Sequence, residues 1–257
     1  MGSLDNLSVL VTRPHHQADT LCRLIEMEGG RAIRFPVLEI QDPQDKTALH
    51  AVIDRLDQFD IAIFISANAV ERALTQIRAR RALPPGLLLA TVGRASAREL
   101  QRLGLRPDIV PPSKFDSESL LATEALQDVA GKRIVIFRGE GGRELLAETL
   151  VERGAQVEYA EVYRRVQPRA DVTGLMKLWA RGEIHVVAVT SNESLQNLFD
   201  MVGPLGRQWL RDTPLVVISE RTAELARSLG FSRPPTMASE ASDTALVEAI
   251  ARWRRAS

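Results

Sequence analysis

Short apolar runs alternate with amphipathic segments along the whole chain. The first run, residues 9–11, is apolar at consecutive positions, which indicates a strand buried on both faces of a parallel sheet. A turn at Arg13 follows, and then apolar positions with helical spacing at Leu21, Cys22 and Ile25. The chain therefore begins with a strand–turn–helix unit. In open α/β sheets such a turn is where ligands bind, so Arg13 is either a surface residue or an anchor for an anion.

The same pattern of apolar and polar positions recurs 125 residues later. Residues 7–43 align without a gap with residues 132–168. The alignment superposes polar residues at predicted strand ends, namely Arg13 on Arg138, Ser66 on Ser191 and, after one added residue, Ser96 on Thr222. Self-similarity at one fixed shift is the signature of a repeat, and the chain is predicted to be a tandem duplication.

Each copy alternates short strands with helices, which is typical of a doubly wound, parallel-sheet α/β domain. In the first copy, strands are predicted near residues 8–12, 32–35, 61–65, 87–92 and 108–111. The β-friendly segments 36–41 and 162–168 occupy equivalent places, and we expect them to form a two-stranded antiparallel linker. We therefore predict two similar, flavodoxin-like lobes, one from residues 1–35 with 169–257 and one from residues 42–161.

Composition and charge narrow the classes of function. The 257 residues are 45% apolar, which is enough for two cores, and 33 basic residues balance 33 acidic ones. This neutrality argues against broad attraction to nucleic acid or membranes. The single cysteine, Cys22, excludes an internal disulfide and is expected in the core. The start of the chain lacks a basic, apolar leader, which predicts a cytoplasmic protein.

Several motifs resemble those of the uroporphyrinogen-III synthase family. They are "VTRP", "ISANAV", "VGRASARELQRLG", "RGEGGRELLAETLVERGAQVEYAEVYRRV" and "ASDTALVEAI". The most specific is the glycine- and arginine-rich turn and helix that lead into an apolar strand and "VYRR". The resemblance spans nearly the whole chain and implies two similar α/β lobes joined by a two-stranded ladder.

The resemblance also implies a reaction. The linear tetrapyrrole hydroxymethylbilane loses water and closes to uroporphyrinogen III, with inversion of ring D through a spiro intermediate. Because the electron-rich pyrroles expel the hydroxyl themselves, no cofactor is implied. Unguided closure gives the uninverted isomer, so the enzyme must orient the linear substrate. Orientation of this kind lowers the reaction barrier by about 7–11 kcal/mol. The implied partners are this substrate and, transiently, the upstream hydroxymethylbilane synthase, with no nucleic acid or membrane.

The duplicated strand ends supply candidate substrate-binding residues. Ser66 and Ser191 precede predicted helices, where a serine is normally an N-cap. Ser96 and Thr222 are expected to open helices in the same way. The N-terminus of a helix also binds carboxylates, so capping and substrate binding are compatible.

Charged and glycine-rich turns supply the remaining candidates. Arg13 and Arg138 are either solvated turn residues or carboxylate contacts. The resemblance and the strand-end positions add further substrate-binding residues, which are Asn68, Arg94, Gly139 and Ser219. Other basic residues at strand or helix ends, most simply interpreted as solvated, are Lys114, Arg143 and Arg221. The glycines that follow Arg138 do not form G-x-G-x-x-G, which argues against a nucleotide.

Tyr163, one of two tyrosines, lies in the second linker segment. From the residues alone, the simplest interpretation is an amphipathic side chain that packs one end of the ladder. The resemblance places the family's linker tyrosine at this position, where it helps the hydroxyl depart by donating a proton or by positioning water. A phenol is protonated at neutral pH, as a general acid must be.

Two other classes of function stay open. Duplicated α/β lobes also fit a two-lobed binding protein that closes on a small anionic ligand without catalysis. A nucleotide-dependent enzyme is the third interpretation. Incubation with hydroxymethylbilane and separation of the product isomers distinguishes all three.

Overall fold

The computed structural model describes residues 2–112, 115–142 and 144–256. The chain divides into two compact units, one formed by Met1–Glu39 with Val166–Ser257 and the other by Ile40–Arg165. Each unit contains a five-stranded sheet with apolar clusters on both faces. Each is therefore a three-layer α/β unit with its own core.

The described residues form ten strands, which are β1 (Ser8–Val11), β2 (Arg31–Arg34), β3 (Glu39–Gln41), β4 (Ile61–Phe64), β5 (Leu88–Thr91), β6 (Arg133–Gly139), β7 (Gln156–Val166), β8 (Val186–Val189), β9 (Leu215–Val217) and β10 (Thr236–Met237). The same residues form eleven α-helices, which are α1 (Asp19–Met27), α2 (Thr47–Asp54), α3 (Ala67–Arg80), α4 (Arg94–Arg102), α5 (Ser117–Leu121), α6 (Leu145–Glu152), α7 (Thr173–Ala180), α8 (Asn192–Met201), α9 (Gly203–Asp212), α10 (Glu220–Ser228) and α11 (Asp243–Ala256). Short 3₁₀ helices occur at His15–Gln17, Leu56–Gln58 and Glu124–Leu126. No helix among the described residues has the length and apolar character needed to cross a bilayer.

The first sheet has the order β10-β9-β8-β1-β2, and its neighbouring strands are parallel. Val9 and Val11 pack on one face with Cys22, which is fully buried as expected. Leu10 points to the other face, where α7, α8 and α10 supply the cluster. Counted along this unit, the strand order is 2-1-3-4-5, the flavodoxin order, which reverses direction between β1 and β8.

The second sheet has the order β3-β7-β6-β4-β5. Strands β7, β6, β4 and β5 pair in parallel, and β3 lies at the edge beside β7. With β6 and β7 counted first, the strands β7, β6, β4 and β5 repeat the order 2-1-3-4 of the first sheet, although β4 and β5 precede β6 in the chain. The fifth strands differ, because β3 lies beside β7 whereas β10 lies beside β9. The predicted α/β class with parallel sheets is confirmed.

The prediction of a strand near residues 108–111 is wrong. Ile109 forms a single isolated bridge with Ala90 and no further ladder. Pro107 precedes this segment and Pro111 and Pro112 end it, so three neighbouring positions lack the N–H that a ladder needs.

The carboxyl end of the second sheet is shaped by an irregularity between β6 and β7. The register shifts between Arg138 and Gly139, so that Gly139 pairs with Tyr163. A Cβ added at Gly139 would lie 2.5 Å from a ring carbon of Tyr163, closer than any real side-chain contact. Only glycine therefore allows the Tyr163 ring to lie against the end of β6.

Candidate functional site

Ser66, which follows β4, and Tyr163, in β7, meet beside the carboxyl end of β6. The Oγ of Ser66 lies 3.2 Å from the Oη of Tyr163, within hydrogen-bond distance. The two residues are 97 positions apart in the chain. Since β4 and β6 are neighbours and the order of the sheet reverses between them, this is the position at which open α/β sheets bind ligands.

Ser66 also begins helix α3. Its Oγ accepts a hydrogen bond of 3.0 Å from the backbone N–H of Ala69, and its backbone is extended, as expected of an N-cap. Asn68 is the second residue of the same helix. The phenol of Tyr163 therefore contacts the residue that caps a helix N-terminus, whose partial positive charge favours negative charge on a nearby oxygen.

The ring of Tyr163 is part of the core of its unit. The residue is 3% exposed and belongs to an apolar cluster with Phe64 and Phe137, whose rings stack at 5.1 Å. The guanidinium carbon of Arg165 lies 6.0 Å from the centre of the Tyr163 ring. Tyr163 thus packs through its ring and meets a polar partner at its hydroxyl, so the two interpretations of this residue are compatible.

Arg138 is buried, and the interpretation as a solvated turn residue is wrong for it. The residue is 3% exposed, and its Nε donates to the carbonyl oxygens of Gly139 at 3.3 Å and Gly141 at 3.0 Å. Its guanidinium carbon lies 4.3 Å from the centre of the Tyr159 ring. Arg138 therefore holds the glycine-rich turn after β6 in place.

Glu144 completes this cluster on the second unit. Its Oε1 accepts a hydrogen bond of 3.3 Å from Nη1 of Arg138, and its Oε2 accepts one of 2.6 Å from the hydroxyl of Tyr159. Burial and the bond to Glu144 raise the pKa of Tyr159 to about 12. The bond from Tyr159, and then Arg138, lower the pKa of the Glu144 carboxyl.

The end of β5 supplies a third set of predicted residues. Gly93 is the N-cap of α4, which begins at Arg94, so the prediction that Ser96 opens this helix is wrong. Ser96 is the third residue of α4 and is 1% exposed. The guanidinium carbon of Arg94 lies 4.5 Å from the ring centre of Phe115.

In the first unit, the ends of β8 and β9 carry two serine caps. Ser191 accepts a hydrogen bond of 3.0 Å from the N–H of Ser194, and its own hydroxyl donates to Ser194 Oγ at 2.9 Å. Ser219 caps α10, so Thr222 lies in the first turn and does not open the helix as predicted. The hydroxyl of Thr222 donates to Oδ1 of Asn192 at 2.8 Å, which ties the starts of α8 and α10 together.

Arg13, at the end of β1, has an acidic partner that the sequence did not reveal. Its Nη1 lies 2.6 Å from Oδ1 of Asp243, the first residue of α11, and the two side chains are 21% and 16% exposed. The contact is an ion pair without hydrogen-bond geometry. The predicted candidates Lys114 and Arg143 lie outside the described residues.

Four of the residues that shape these sites were not predicted. Asp243 forms an ion pair with Arg13, Tyr159 and Glu144 bind Arg138, and Asn192 binds Thr222. The only signal for Tyr159 was its position in β7, four residues before Tyr163. The other three carry no pattern in the sequence that sets them apart from surface residues.

Fold and site together define a class of protein. In each unit, four parallel strands have the order 2-1-3-4, and hydroxyl groups, guanidinium groups and helix N-termini lie at the carboxyl ends of the strands. Because such edges bind anionic ligands, the fold and the site are those of an α/β protein that binds an anionic small molecule.

Comparison with known proteins identifies the family. A family model described as uroporphyrinogen-III synthase HemD matches residues 19–248. The chain is 35% identical over 246 residues to the uroporphyrinogen-III synthase of Escherichia coli, an alignment that covers 95% of this chain and 100% of that protein. It is 34% identical to the Salmonella typhimurium enzyme of the same name, with the same coverage. A crystal structure of a mutant uroporphyrinogen III synthase from Thermus thermophilus is 20% identical, has a TM-score of 0.64, and covers 97% of this chain and 98% of that one.

The chain therefore belongs to the uroporphyrinogen-III synthase family. The family predicted from the sequence motifs is confirmed, and with it the prediction of a cyclising lyase of tetrapyrrole biosynthesis. The likeness to the Thermus structure supports the α/β fold.

Proposed function

We propose that the chain converts hydroxymethylbilane to uroporphyrinogen III, with inversion of ring D through a spiro intermediate. The observation that carries this proposal is the phenol of Tyr163, which lies 3.2 Å from the N-cap hydroxyl of Ser66 in a chain of this family. A phenol at the N-terminus of a helix is suited to give up a proton, because the helix dipole stabilises the phenolate that remains.

The proposed reaction begins with departure of the hydroxyl. Tyr163 donates a proton to the leaving oxygen, and the pyrrole nitrogen supplies the electron pair that expels it as water. The departure of water produces a cationic methylene group. The substituted carbon of ring D then attacks this methylene to form the spiro intermediate. Cleavage of one bond at the spiro carbon and reclosure at the other ring position invert ring D. The proton lost from that ring position balances the one given by Tyr163.

The protein must hold the substrate so that the substituted carbon meets the methylene, because the free carbon reacts without help. We assign this role to the polar groups at the strand ends, which bind the eight carboxylates of the substrate. They are Arg13, Ser66, Asn68, Arg94, Ser96, Arg138, Gly139, Ser191, Ser219 and Thr222. Caps at Ser66, Ser191 and Ser219 support this assignment, since each marks a helix N-terminus with N–H groups suited to carboxylates.

We further propose that the two units descend from a tandem duplication, with lobes 1–35 plus 169–257 and 42–161 and linker strands 36–41 and 162–168. The shift of 125 residues and the order 2-1-3-4, which four strands of each sheet share, support this proposal. The linker segments include β3 and the end of β7, which are neighbours in the second sheet.

We place the enzyme in the cytoplasm, in transient contact with hydroxymethylbilane synthase. The chemistry of the substrate supports such a contact, because free hydroxymethylbilane closes spontaneously to the uninverted isomer. Direct handover would limit that loss.

One experiment tests the proposed function. The purified, chelator-treated protein is incubated with freshly made hydroxymethylbilane, and the product isomers are separated. We expect the inverted isomer without any added metal or nucleotide. Saturable binding of hydroxymethylbilane with only the uninverted product would instead support the non-catalytic binding protein. Activity that is lost on chelation and restored by one metal would contradict the cofactor-free mechanism.

A further inference from the structure

The second unit contains a cavity that the proposed chemistry at Tyr163 does not use. It has a volume of about 190 Å³. Its walls are mostly apolar and its lining residues are Ile65, Val92, Ser117, Ile136, Arg138, Leu146 and Tyr159. Ile136 and Leu146 belong to the apolar cluster on one face of the sheet, whereas Tyr163 belongs to the cluster on the other face. The cavity is thus separated from Tyr163 by the sheet.

Arg138 and Tyr159 line this cavity and together bind one carboxylate, that of Glu144, which is itself outside the lining. One oxygen of Glu144 accepts from Arg138 at 3.3 Å and the other accepts from Tyr159 at 2.6 Å. Arg138 is held firmly, because its side chain is 4% exposed and its Nε is bonded to two backbone carbonyl groups, and its guanidinium lies over the Tyr159 ring. Tyr159, with its pKa raised to about 12, stays a donor throughout the neutral range.

Glu144 is held less firmly than the donors that it contacts. Its side chain is 53% exposed, and it precedes α6 without capping the helix through its side chain. The 3.3 Å distance to Arg138 is long for a bond between two charged groups, which is normally about 2.7–2.9 Å. A carboxylate from another molecule can compete with it, because such a group restores the bonds of both donors, including the 2.6 Å bond from Tyr159.

We propose that this cavity binds a short aliphatic carboxylate, whose carboxyl group displaces Glu144 from Arg138 and Tyr159 while its methylene groups lie against Ile65, Val92 and Leu146. The volume is below the roughly 300–1,000 Å³ of sites that hold whole small molecules, so it suits a side arm and not a ring system. The apolar walls favour an arm with methylene groups over a bare inorganic anion.

The identity of the natural ligand rests on the proposed function. The substrate carries eight carboxylates on short aliphatic arms, and one such arm fits the cavity by chemistry and by size. Glu144 would then act as a substitute ligand that keeps Arg138 paired until the substrate arrives.

Methyl NMR tests the site without reference to catalysis. The full chain, with ¹³C-labelled Ile, Leu and Val methyl groups, is titrated with butyrate into the millimolar range, and butyramide serves as the uncharged probe of the same shape. We expect butyrate to shift the methyl signals of Ile65, Val92, Ile136 and Leu146 saturably. The methyl groups of Ile53 and Leu74, in the cluster on the opposite face, should not move. Butyramide should not shift either set.

Two variants test the displacement of Glu144. Glu144→Gln removes the competing charge, and Glu152→Gln, at the other end of α6, is the matched control. Butyrate should bind Glu144→Gln about 3- to 10-fold more tightly than Glu152→Gln, the change expected if Glu144 occupies the donors in roughly 70–90% of molecules. Arg138→Gln should abolish the shifts. If that variant does not fold, Tyr159→Phe removes the other donor and Leu146→Phe fills the cavity, and each should weaken binding.

Three results would overturn the proposal. They are cavity methyl groups that do not respond to butyrate, an equal response to butyramide, and butyrate binding to Glu144→Gln that is no tighter than to Glu152→Gln. The cyclisation assay separates this outcome from failure of the proposed function. Inverted product without butyrate binding refutes only the cavity, and butyrate binding without inverted product refutes only the reaction.

Discussion

Arg13 and Arg138 align at the carboxyl ends of the corresponding central strands, Arg13 two residues after β1 and Arg138 one residue before the end of β6, and their side chains are held in different ways. Arg13 forms an ion pair with Asp243 from the last helix of the chain and keeps 21% of its side chain exposed. Arg138 is 4% exposed, contacts the Tyr159 ring and bonds to the backbone of its own turn. The two positions align in the sequence, but the elements that face them decide what each guanidinium can contact.

The aligned helix caps Ser66 and Ser191 differ in the same way. Ser191 in the first unit bonds within its own first turn, to Ser194, whereas Ser66 in the second unit also meets the hydroxyl of Tyr163. The position that aligns with Tyr163 at a shift of 125 is Leu38. Strand β2 ends at Arg34, before this position, while β7 continues to Val166. A longer strand and one residue change thus give the second unit a contact between a serine and a phenol, for which the aligned Leu38 has no hydroxyl.

The largest expected effect comes from Tyr163→Phe, which removes this difference between the units. The substitution keeps the packing of the ring and removes only the proton donor. General acid catalysis contributes a rate factor of about 10²–10⁴, so kcat should fall by a factor in that range. The loss should lie near the lower end, because the pyrroles supply much of the push and water can replace the donor. The product should shift toward the uninverted isomer. Rates, isomer ratios and thermal stability are measured together.

Tyr159→Phe is the matched control for that experiment, since it removes the other phenol of the chain. It should raise KM more than it lowers kcat. A folded Tyr163→Phe protein that makes the inverted isomer within about threefold of the parent rate would remove Tyr163 from the mechanism, because that loss is far below the general-acid range. Proton delivery would then fall to hydroxyls such as Ser66 or to the carboxyl groups of the substrate.

The next effect compares the two arginines. Arg13→Ala and Arg138→Ala should each raise KM by about 10- to 150-fold, because a charge-assisted hydrogen bond is worth about 1.5–3 kcal/mol and other donors still hold the substrate. Arg138→Ala should also lower the melting temperature, since two backbone carbonyls and Glu144 lose their donor. If either variant binds substrate as tightly as the parent, that arginine has only a structural role.

Gly139→Ala tests the contact that places Tyr163. The added methyl group would lie 2.5 Å from the ring, so the ring or the strand must move, and overpacking of this kind costs about 1–3 kcal/mol. We expect lower stability and lower kcat. Gly86→Ala is the control in the same unit, because nothing lies within 4 Å of its added Cβ. Equal stability of the two variants would show that the end of β6 adapts freely.

Ser66→Ala and Ser191→Ala sharpen the comparison of the caps. Each loses a capping bond, so the free energy of unfolding should fall by about 0.5–2 kcal/mol in both. Only Ser66→Ala also loses the partner of Tyr163, and its kcat should fall by roughly 2- to 12-fold, the equivalent of one hydrogen bond of about 0.5–1.5 kcal/mol. Ser191→Ala should change KM and not kcat. Equal kcat values for the two variants would exclude a role for Ser66 in positioning the phenol.

The smallest effect is the pH dependence of Glu144, whose aligned residue in the first unit, Asp19, accepts a hydrogen bond from Arg34 and not from a phenol. The pKa of its carboxyl is lowered from its usual 4.5 by the bond from Tyr159 and by Arg138. The stabilisation is therefore present above pH 4.5 and is lost as the pH falls through the lowered pKa. The difference in melting temperature between the parent and Glu144→Gln should shrink below that pH. A difference that is constant across this window would contradict the assignment.

Local patterns in the chain predicted the strand and helix alternation, the burial of Cys22 and the capping by Ser66 and Ser191. These features depend on residues close in sequence, so their signals are visible without the fold. The prediction of a strand near residues 108–111 was wrong because the prolines around this apolar segment lack the N–H groups that a strand ladder needs. Ser96 and Thr222 failed as helix starts because a residue three positions earlier took the cap.

By itself the sequence determined the α/β class, the family and the list of polar residues at strand ends, because these follow from local periodicity and from motifs. The tertiary structure decided which of those residues meet. Ser66 and Tyr163 are 97 positions apart, and Arg13 reaches Asp243 near the other end of the chain. Such contacts depend on strand order, on the length of β7 and on the register shift beside Gly139. None of these is a property of a single segment, because each arises when separate segments pack into one sheet.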